Sequence, residues 1–600
     1  MKYLEWILKY PVKGYYFDLS FELVLFIKRI FFFFWKFMRL ILFLSSLLFV
    51  ISIHAAPAVF NQVGFHPKST KQIVVRTESV DTVHIINIVQ GKTVMQLVPP
   101  FSKKWDYSEE SVQLIDISSI KTPGTYLAIQ NGVAISNNIV IDKDVYVDLG
   151  KSLLKWFYYQ RSSTALEAKY AGKWARLAGH PDTSVLIYGT DKKISSPKGW
   201  YDAGDYGKYI VNSGITVFTL LNLYEHFPKL CDTLQLHIPE SKRGKSDLLS
   251  EVRWNLDWML SMQDADGGVY HKLTTKKFSG SVMPHQDKAE RVVLPKSTAA
   301  SLNFSGVMAQ ASRVYKKTDP SFSKKTLVAA EKAYLWAKEH PNVVYEQPQD
   351  VNTGTYTPKG ENNLDEFRFA AAELYESTKK TIYLKDLNEN LFNANGPWWG
   401  DLNFLSVYRV ASSKAFKELQ KTAQDTLLTV ANRILEVAKN SAYGLPIEEW
   451  NWVWGSNSAV ANNGIILLYA YYITQNKDFL GAAQSALDYV LGRNPLNFSY
   501  VSGFGYKSPK NPHHRPSEAD EIDDPVPGMV VGGAHSGKQD VGEEPWQCKD
   551  YTAEKIHALN YTDDRCSYAT NEVAINWNSP VAYLTIALQA IYNGYVYKFK

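Results

Sequence analysis

Hydrophobic positions between residues 56 and 142 alternate with period two, in runs rich in β-branched residues at 72–76, 82–89, 93–97, 111–116, 125–129 and 138–141. Turn signals separate them: Gln90-Gly91, Pro123-Gly124 and Asn131-Gly132. Six or seven short strands in about 85 residues predict a small β-sandwich of immunoglobulin-like type over 56–143. No cluster of chemically active side chains falls in this stretch, so it reads as a packing module. After Val145 the period lengthens. Leu248, Leu249, Val252, Leu256, Met259 and Leu260 share one helical stripe, opened by Ser246-Asp247 and closed by Asp266-Gly267-Gly268. Similar segments recur at 146–161, 164–172, 213–226, 297–315, 325–339, 364–378, 384–391, 413–439, 456–475, 479–492 and 579–595, with no convincing strand run between them. About a dozen helices around one centre predict an all-α toroid over 144–600, six helices inside and six outside.

The connections between these helices are uneven. Long ones run through 192–212, 263–296, 340–363, 440–455 and above all 493–578. Long loops in a compact domain are uncommon and usually functional, so the chemistry is expected there.

Residues 1–55 read differently from the rest. Met38-Arg39 precedes an unbroken apolar stretch from Leu40 to Ile53, then His54-Ala55-Ala56. This is the order of a signal peptide, with cleavage near Ala55 and translation starting at Met38. The alternative is a retained membrane anchor, since 31–53 could span a bilayer if Lys36 and Arg39 are tolerated. Export to a secreted or periplasmic location is the reading taken. The net charge of +5 then changes meaning, because the first 55 residues hold seven Lys/Arg against three Asp/Glu. The remaining body is near neutral, which gives no electrostatic basis for nucleic-acid binding. The expectation is a monomer, with no membrane contact once the leader is removed. Three cysteines, Cys231, Cys548 and Cys566, do not make a disulfide scaffold, and without a CxxC there is no thiolate zinc ribbon. Cys548 and Cys566 lie in one loop region and could pair; the sequence does not decide it. Aromatic residues are in excess, with 16 Trp, 37 Tyr and 28 Phe. Core packing accounts for many; rings also suit stacking on sugar faces.

Three constellations carry chemistry. The first is Gly199-Trp200-Tyr201-Asp202-Ala203-Gly204-Asp205-Tyr206-Gly207-Lys208, two carboxylates just ahead of a helix. It reads either as helix capping or as a pair in which one carboxylate polarises a water and the other shares its hydrogen bonds. The second is Ser499-Tyr500-Val501-Ser502-Gly503-Phe504-Gly505 with Asn511-Pro512-His513-His514-Arg515-Pro516, a rigid loop presenting donors suited to sugar hydroxyls, phosphate or a metal. The third runs from Tyr561 through Asp563-Asp564-Arg565-Cys566 to Asn571-Glu572 and Asn578-Ser579-Pro580. A lone Glu572 among aromatics is a candidate for a raised pKa.

Together these segments, with the opening Val59-Phe60-Asn61-Gln62-Val63-Gly64-Phe65, resemble glycoside hydrolase family 9, the cellulase family with an (α/α)6 barrel, in its subset with an N-terminal immunoglobulin-like domain. The resemblance covers essentially all of the chain after the leader. It implies an inverting endo-β-1,4-glucanase, with Asp205 as general base, Asp202 as its helper and Glu572 as general acid. It places His513 and Arg515 against the sugar beside the scissile bond and gives Asp563 an orienting or structural role. Inversion fits a base and an acid standing about 6.5–9.5 Å apart, leaving room for a water. The alternatives are an exo-acting member of the family or a non-catalytic carbohydrate-binding protein; the presence of all three carboxylates argues against the latter.

Trp452 and Trp454, in Glu448-Glu449-Trp450-Asn451-Trp452-Val453-Trp454, would project to one side if extended and form a stacking platform for glucosyl rings. Many relatives with the immunoglobulin-like domain hold zinc with two Cys and two His; here the corresponding places are Ser162, Gly179, His180 and Tyr201, so no zinc is expected. Asp365 and Glu366 resemble a calcium-binding segment of the family, with Asp401 as a remote ligand. The same two acids are equally explained as charges at a helix start. No cofactor is needed for the chemistry.

Overall fold

The computed structural model describes residues 58–600 except 243, 359–362, 388–395, 554–555, 598 and 600. The leader expectation therefore lies outside the described residues. The period-two region forms two antiparallel sheets. In one, β1 (Ala58–Val59), β2 (Gln72–Val75), β6 (Glu110–Asp116) and β5 (Lys103–Trp105) lie in that order; in the other, β4 (Lys92–Leu97), β3 (Val83–Asn87), β7 (Gly124–Gln130) and β8 (Val133–Ala134), with β9 (Ile139–Ile141) also on β7.

Alternation sorts the residues of β2. Ile73 and Val75 join Phe60, Ile85, Ile115 and Ala128 in the core between the sheets. Val74 points the other way and joins Val59, Trp105 and Val112 in the large core shared with the helices. The sheet is apolar on both faces, as expected of one covered on both sides. Polar links reinforce the junction: Asn61 Nδ2 donates to Asp488 Oδ1 at 2.9 Å, and Arg493 Nη1 to Gln72 Oε1 at 3.0 Å.

Among the described residues the longer helices are α1 (Val147–Tyr159), α2 (Ile210–His226), α3 (Asp247–Ser261), α4 (Thr298–Val314), α5 (Pro320–Glu339), α6 (Leu364–Thr378), α7 (Asn403–Ser412), α8 (Glu418–Asn440), α9 (Ser456–Thr474), α10 (Lys477–Val490) and α11 (Ile575–Tyr592), with short helical turns at Ala168–Ala171, Pro228–Cys231 and Arg515–Ala519. Two kinds are distinguishable. α2, α4, α9 and α11 are buried nearly all round, whereas α5 and α8 bury one stripe. α2 packs on α4 and α11, α4 on α5 and α6, α6 on α7, α7 on α8, α8 on α9, and α9 on α10 and α11. Starts are set by side-chain caps: Ser246 Oγ accepts from Leu249 N for α3, and Ser297 Oγ from Ala300 N for α4.

Three expectations need correction. A further sheet, absent from the sequence reading, lies among the helices: β11 (Lys193–Ile194), β10 (Val185–Ile187), β14 (Arg291–Val293), β13 (Lys272–Thr275) and β12 (Lys208–Tyr209), in that order. Its strands are two to four residues long, too short for a period to show. The segment expected as one helix at 413–439 begins only at Glu418, and α7 before it was not anticipated. The expected helix at 384–391 is a 3-10 turn, Thr381–Asp386, as far as residue 387. Cys548 and Cys566 are joined by a disulfide, and Cys231 is free and buried.

Candidate active site

Backbone hydrogen bonds lace the three sequence constellations together. Asp202 C=O accepts from Ile575 N at 2.8 Å, Gly204 C=O from Arg515 N at 3.0 Å, and Asn571 C=O from His513 N at 2.9 Å. Gly204 has a steric reason to be glycine, because a Cβ there would lie 2.2 Å from the His513 carbonyl oxygen. The result is a cavity of about 500 Å³ into which Asp202, Asp205 and Glu572 all face.

Each carboxyl has its own environment. Asp205 Oδ2 accepts from Gly207 N at 2.8 Å, which fixes its rotamer. Asp202 is buried; Oδ1 accepts from Asn212 Nδ2 and Oδ2 from the Tyr356 hydroxyl, both at 2.6 Å. Burial raises Asp202 to about 7, helped by the Asp205 charge and opposed by those two hydrogen bonds. Desolvation lifts Glu572 well above the usual carboxylate range, and the charge of Asp205 adds to it. Glu572 thus shares the cavity with Asp205, and its raised pKa favours the protonated form.

The raised Asp202 has a consequence for stability. Its native carboxyl binds a proton more tightly than the unfolded chain's, so the contribution is full below about pH 4 and is lost as pH rises through about 7. Asp202→Asn is therefore expected to melt higher than wild type at pH 8, by up to about 4 kcal/mol of stability, with the gap closing at pH 4.5. Melts at the two pH values check this; an equal gap at both would contradict it.

His513 and Arg515 do not line this cavity but stand behind it: His513 bridges Glu572 through the backbone, and the Arg515 charge acts on the Glu572 carboxyl. His513 Nδ1 lies 2.6 Å from the Arg565 carbonyl oxygen, which can only accept, so Nδ1 carries the proton and Nε2 is an acceptor. Desolvation lowers its pKa, keeping the ring neutral at neutral pH. Arg515 Nε donates to Ser279 C=O at 2.7 Å, and the guanidinium retains its two outer nitrogens. Asp563 does not line the cavity. Its carboxylate accepts from Lys510 N at 2.8 Å and Asn511 N at 3.0 Å, closing the turn that presents His513.

The tryptophan expectation is half overturned. Trp454 lines the cavity and is 41% exposed, but Trp452 is 6% exposed and lies away from it, against Tyr107 at 5.2 Å and Trp105 at 6.2 Å. The cause is local: Glu449–Asn451 is a 3-10 turn with a Glu448/Asn451 capping box, so the extended alternation fails and Trp450 faces the cavity instead. Trp452→Ala is expected to cost about 3–5 kcal/mol of stability, as for buried aromatics generally. Trp450→Ala should leave the melting temperature within about 1 °C and raise KM instead. Paired melts and kinetics check the contrast.

Tyr356 and Asn212, the partners of Asp202, carry no motif in the sequence, and neither do Phe278, Trp398, Trp399 and Trp577 on the cavity wall. Tyr356 sits 154 residues from Asp202, with no spacing to link them; only its place in a long loop marked it.

Among the described residues, no group of three or more His, Cys, Asp or Glu converges in metal-binding geometry. The acids of the expected calcium site are nevertheless electrostatic neighbours. Asp365 Oδ2 accepts from Leu402 N and Asp401 Oδ1 from Asn403 N, while neither oxygen of fully buried Glu366 has a hydrogen-bond partner among the described residues. Burial, then the Asp365 charge, raises Glu366 well above its usual range. Both ring nitrogens of His180 are engaged, Nδ1 with the Tyr201 hydroxyl at 2.8 Å and Nε2 with Asp287 Oδ2 at 3.2 Å.

Residues 146–585 match the model of glycosyl hydrolase family 9, and residues 54–133 that of the cellulase N-terminal ig-like domain. The chain belongs to glycosyl hydrolase family 9. Among family 9 relatives, a xyloglucan-specific endo-beta-1,4-glucanase of Bacteroides ovatus is 39% identical over 562 residues, 88% of this chain and 93% of that protein. Endoglucanase D of Acetivibrio thermocellus is 33% identical over 536 residues, 87% of this chain and 82% of that one. Among solved structures, a family 9 protein of Bacteroides ovatus superposes with a TM-score of 0.82 at 38% identity, covering 90% of this chain and 99% of the other. A family 9 enzyme, AaCel9A, in complex with a cellobiose-like isofagomine superposes with a TM-score of 0.81 at 30% identity, covering 89% and 99%. This chain is therefore a glycoside hydrolase with an N-terminal ig-like sandwich and a following helical domain.

Proposed function

We propose that this family 9 chain is an inverting endo-β-1,4-glucanase. The observation that carries the reading is geometric: Glu572 and the Asp202/Asp205 pair face one aromatic-walled cavity, where burial raises the Glu572 pKa well above the usual carboxylate range. Asp205 takes a proton from a water while that water attacks the anomeric carbon. Glu572 gives its proton to the departing glycosidic oxygen, so bond making and breaking occur on opposite faces and the configuration inverts. Asp202, oriented by Asn212 and Tyr356, holds the water beside Asp205. His513 Nε2 and the outer nitrogens of Arg515 grip the hydroxyls of the adjoining sugar, and Trp450 and Trp454 stack on glucosyl faces.

The helical domain is read as an (α/α)6 barrel, because its pairwise contacts run from α2 through α4, α6, α7, α8, α9 and α11 back to α2. A structural calcium is supported by the two oxygens of buried Glu366, unpartnered among the described residues and facing Asp365, with Asp401 near. Bound there, the ion would neutralise acids that otherwise repel one another and tie the start of α6 to the turn before α7. Export is supported by the signal-peptide pattern and by the Cys548–Cys566 disulfide, a bond that persists in oxidising compartments. Among the described residues no helix is long and apolar enough to cross a membrane.

The test pairs viscosity with reducing-end release on carboxymethylcellulose, with xyloglucan alongside because the Bacteroides ovatus relative is named for it. Early viscosity loss is the endo result; reducing ends released at near-constant viscosity would favour exo action. Proton NMR during cellohexaose cleavage should show the α-anomer first, and the β-anomer first would refute inversion.

A further inference from the structure

Phe278 is 48% exposed and lines the cavity that holds Asp205. The segment that carries this ring is held. It lies in the connection between β13 and β14, and that connection is tied down along its length. Ser279 C=O accepts from Arg515 Nε at 2.7 Å. Val282 C=O accepts from the hydroxyl of Tyr206, the residue after Asp205. Ser281 donates to Glu518. Within the connection, Asp287 Oδ2 accepts from the Ser279 hydroxyl and faces His180 Nε2, while Asp287 Oδ1 accepts from Ala289 N at 3.0 Å.

The ring itself has a cation as its neighbour. The Arg515 guanidinium carbon stands over the ring, 5.6 Å from its centroid. With a cation over it and about half of its surface still exposed, the ring keeps area in the cavity for an apolar ligand face. A pyranose offers such a face through its axial C–H groups.

We propose that Phe278 is the stacking surface for the sugar seated next to Arg515, and that Asp287 is the positioning residue that holds the Phe278 segment in place. This rests on the glucanase reading and deepens it by assigning one sugar-binding contact. Asp287 touches no substrate; it acts by fixing Ser279 and with it the neighbouring ring.

Steady-state kinetics on cellohexaose test the assignment with Phe278→Ala, Phe278→Trp, Asp287→Ala and the Phe278→Ala/Asp287→Ala double variant. Phe278→Ala is expected to lower kcat/KM about ten-fold, with the loss carried by KM. Phe278→Trp should restore KM to within about two-fold of wild type. Asp287→Ala should raise KM by a smaller factor, and the double variant should match Phe278→Ala, because a brace has no effect once the ring it braces is gone. An unchanged KM in Phe278→Ala, a loss that falls on kcat, or fully multiplicative effects in the double variant would overturn the proposal alone. Wild-type protein that cleaves no β-1,4-glucan would overturn the functional reading, and this proposal with it.

Discussion

Glu572→Gln is expected to lower kcat on a soluble β-1,4-glucan by about 10³-fold, the middle of the range for removing a positioned general acid. Glutamine keeps the shape of the side chain but has no proton to give. Desolvation, and then the charge of Asp205, raise the pKa of the native carboxyl, which favours the protonated form a general acid needs. A sugar hydroxyl is a poor leaving group and needs that proton. A phenol of low pKa does not, so an aryl β-cellobioside with such a leaving group should lose less than about ten-fold in the same variant. Comparing the two substrates separates loss of the acid from general damage: equal losses on both would remove Glu572 from the acid role.

Asp205→Asn is expected to be at least as severe, about 10³- to 10⁴-fold in kcat, and to respond in the opposite way. The asparagine can still accept from Gly207 N, so the turn keeps its shape. What is lost is the capacity to take a proton from water, and a better leaving group does nothing for that. The aryl substrate should therefore not rescue this variant. Azide should, because it attacks without deprotonation from the face the water would use, giving an α-glycosyl azide. Detection of that product identifies the base. Rescue by the aryl leaving group instead would exchange the roles assigned to Asp205 and Glu572.

Legibility in the sequence followed how local each feature is. The Asp202–Asp205 turn, the His513–Arg515 loop and Glu572 were readable because each is a short string whose spacing reflects its own backbone geometry. The sandwich strands were readable where β-branched alternation ran for four residues or more, as in β6 and β7. The sheet of β10 to β14 was not, because Lys272–Thr275 is buried at every position and shows no alternation. Trp452 was misread because a single 3-10 turn before it rotates the register, and nothing in a Trp-x-Trp-x-Trp string reports that turn. Tyr356 and Asn212 were missed for another reason: a hydrogen bond to Asp202 is a relation across the fold, and a sequence pattern has no term for it.

The sheet that is apolar on both faces bears on how the molecule comes apart. Val74, Trp105 and Val112 belong to the core that also holds α1 and Trp452, so removing the sandwich would strip a wall from the helical core rather than detach an appendage. The loop from Glu448 to Gly455 holds Trp452 on that junction and Trp450 and Trp454 on the cavity. Partial unfolding at the junction and loss of substrate binding are then one event. Calorimetry should register a single heat-absorption peak whose calorimetric and van't Hoff enthalpies agree, and residual activity should follow that peak with no earlier step.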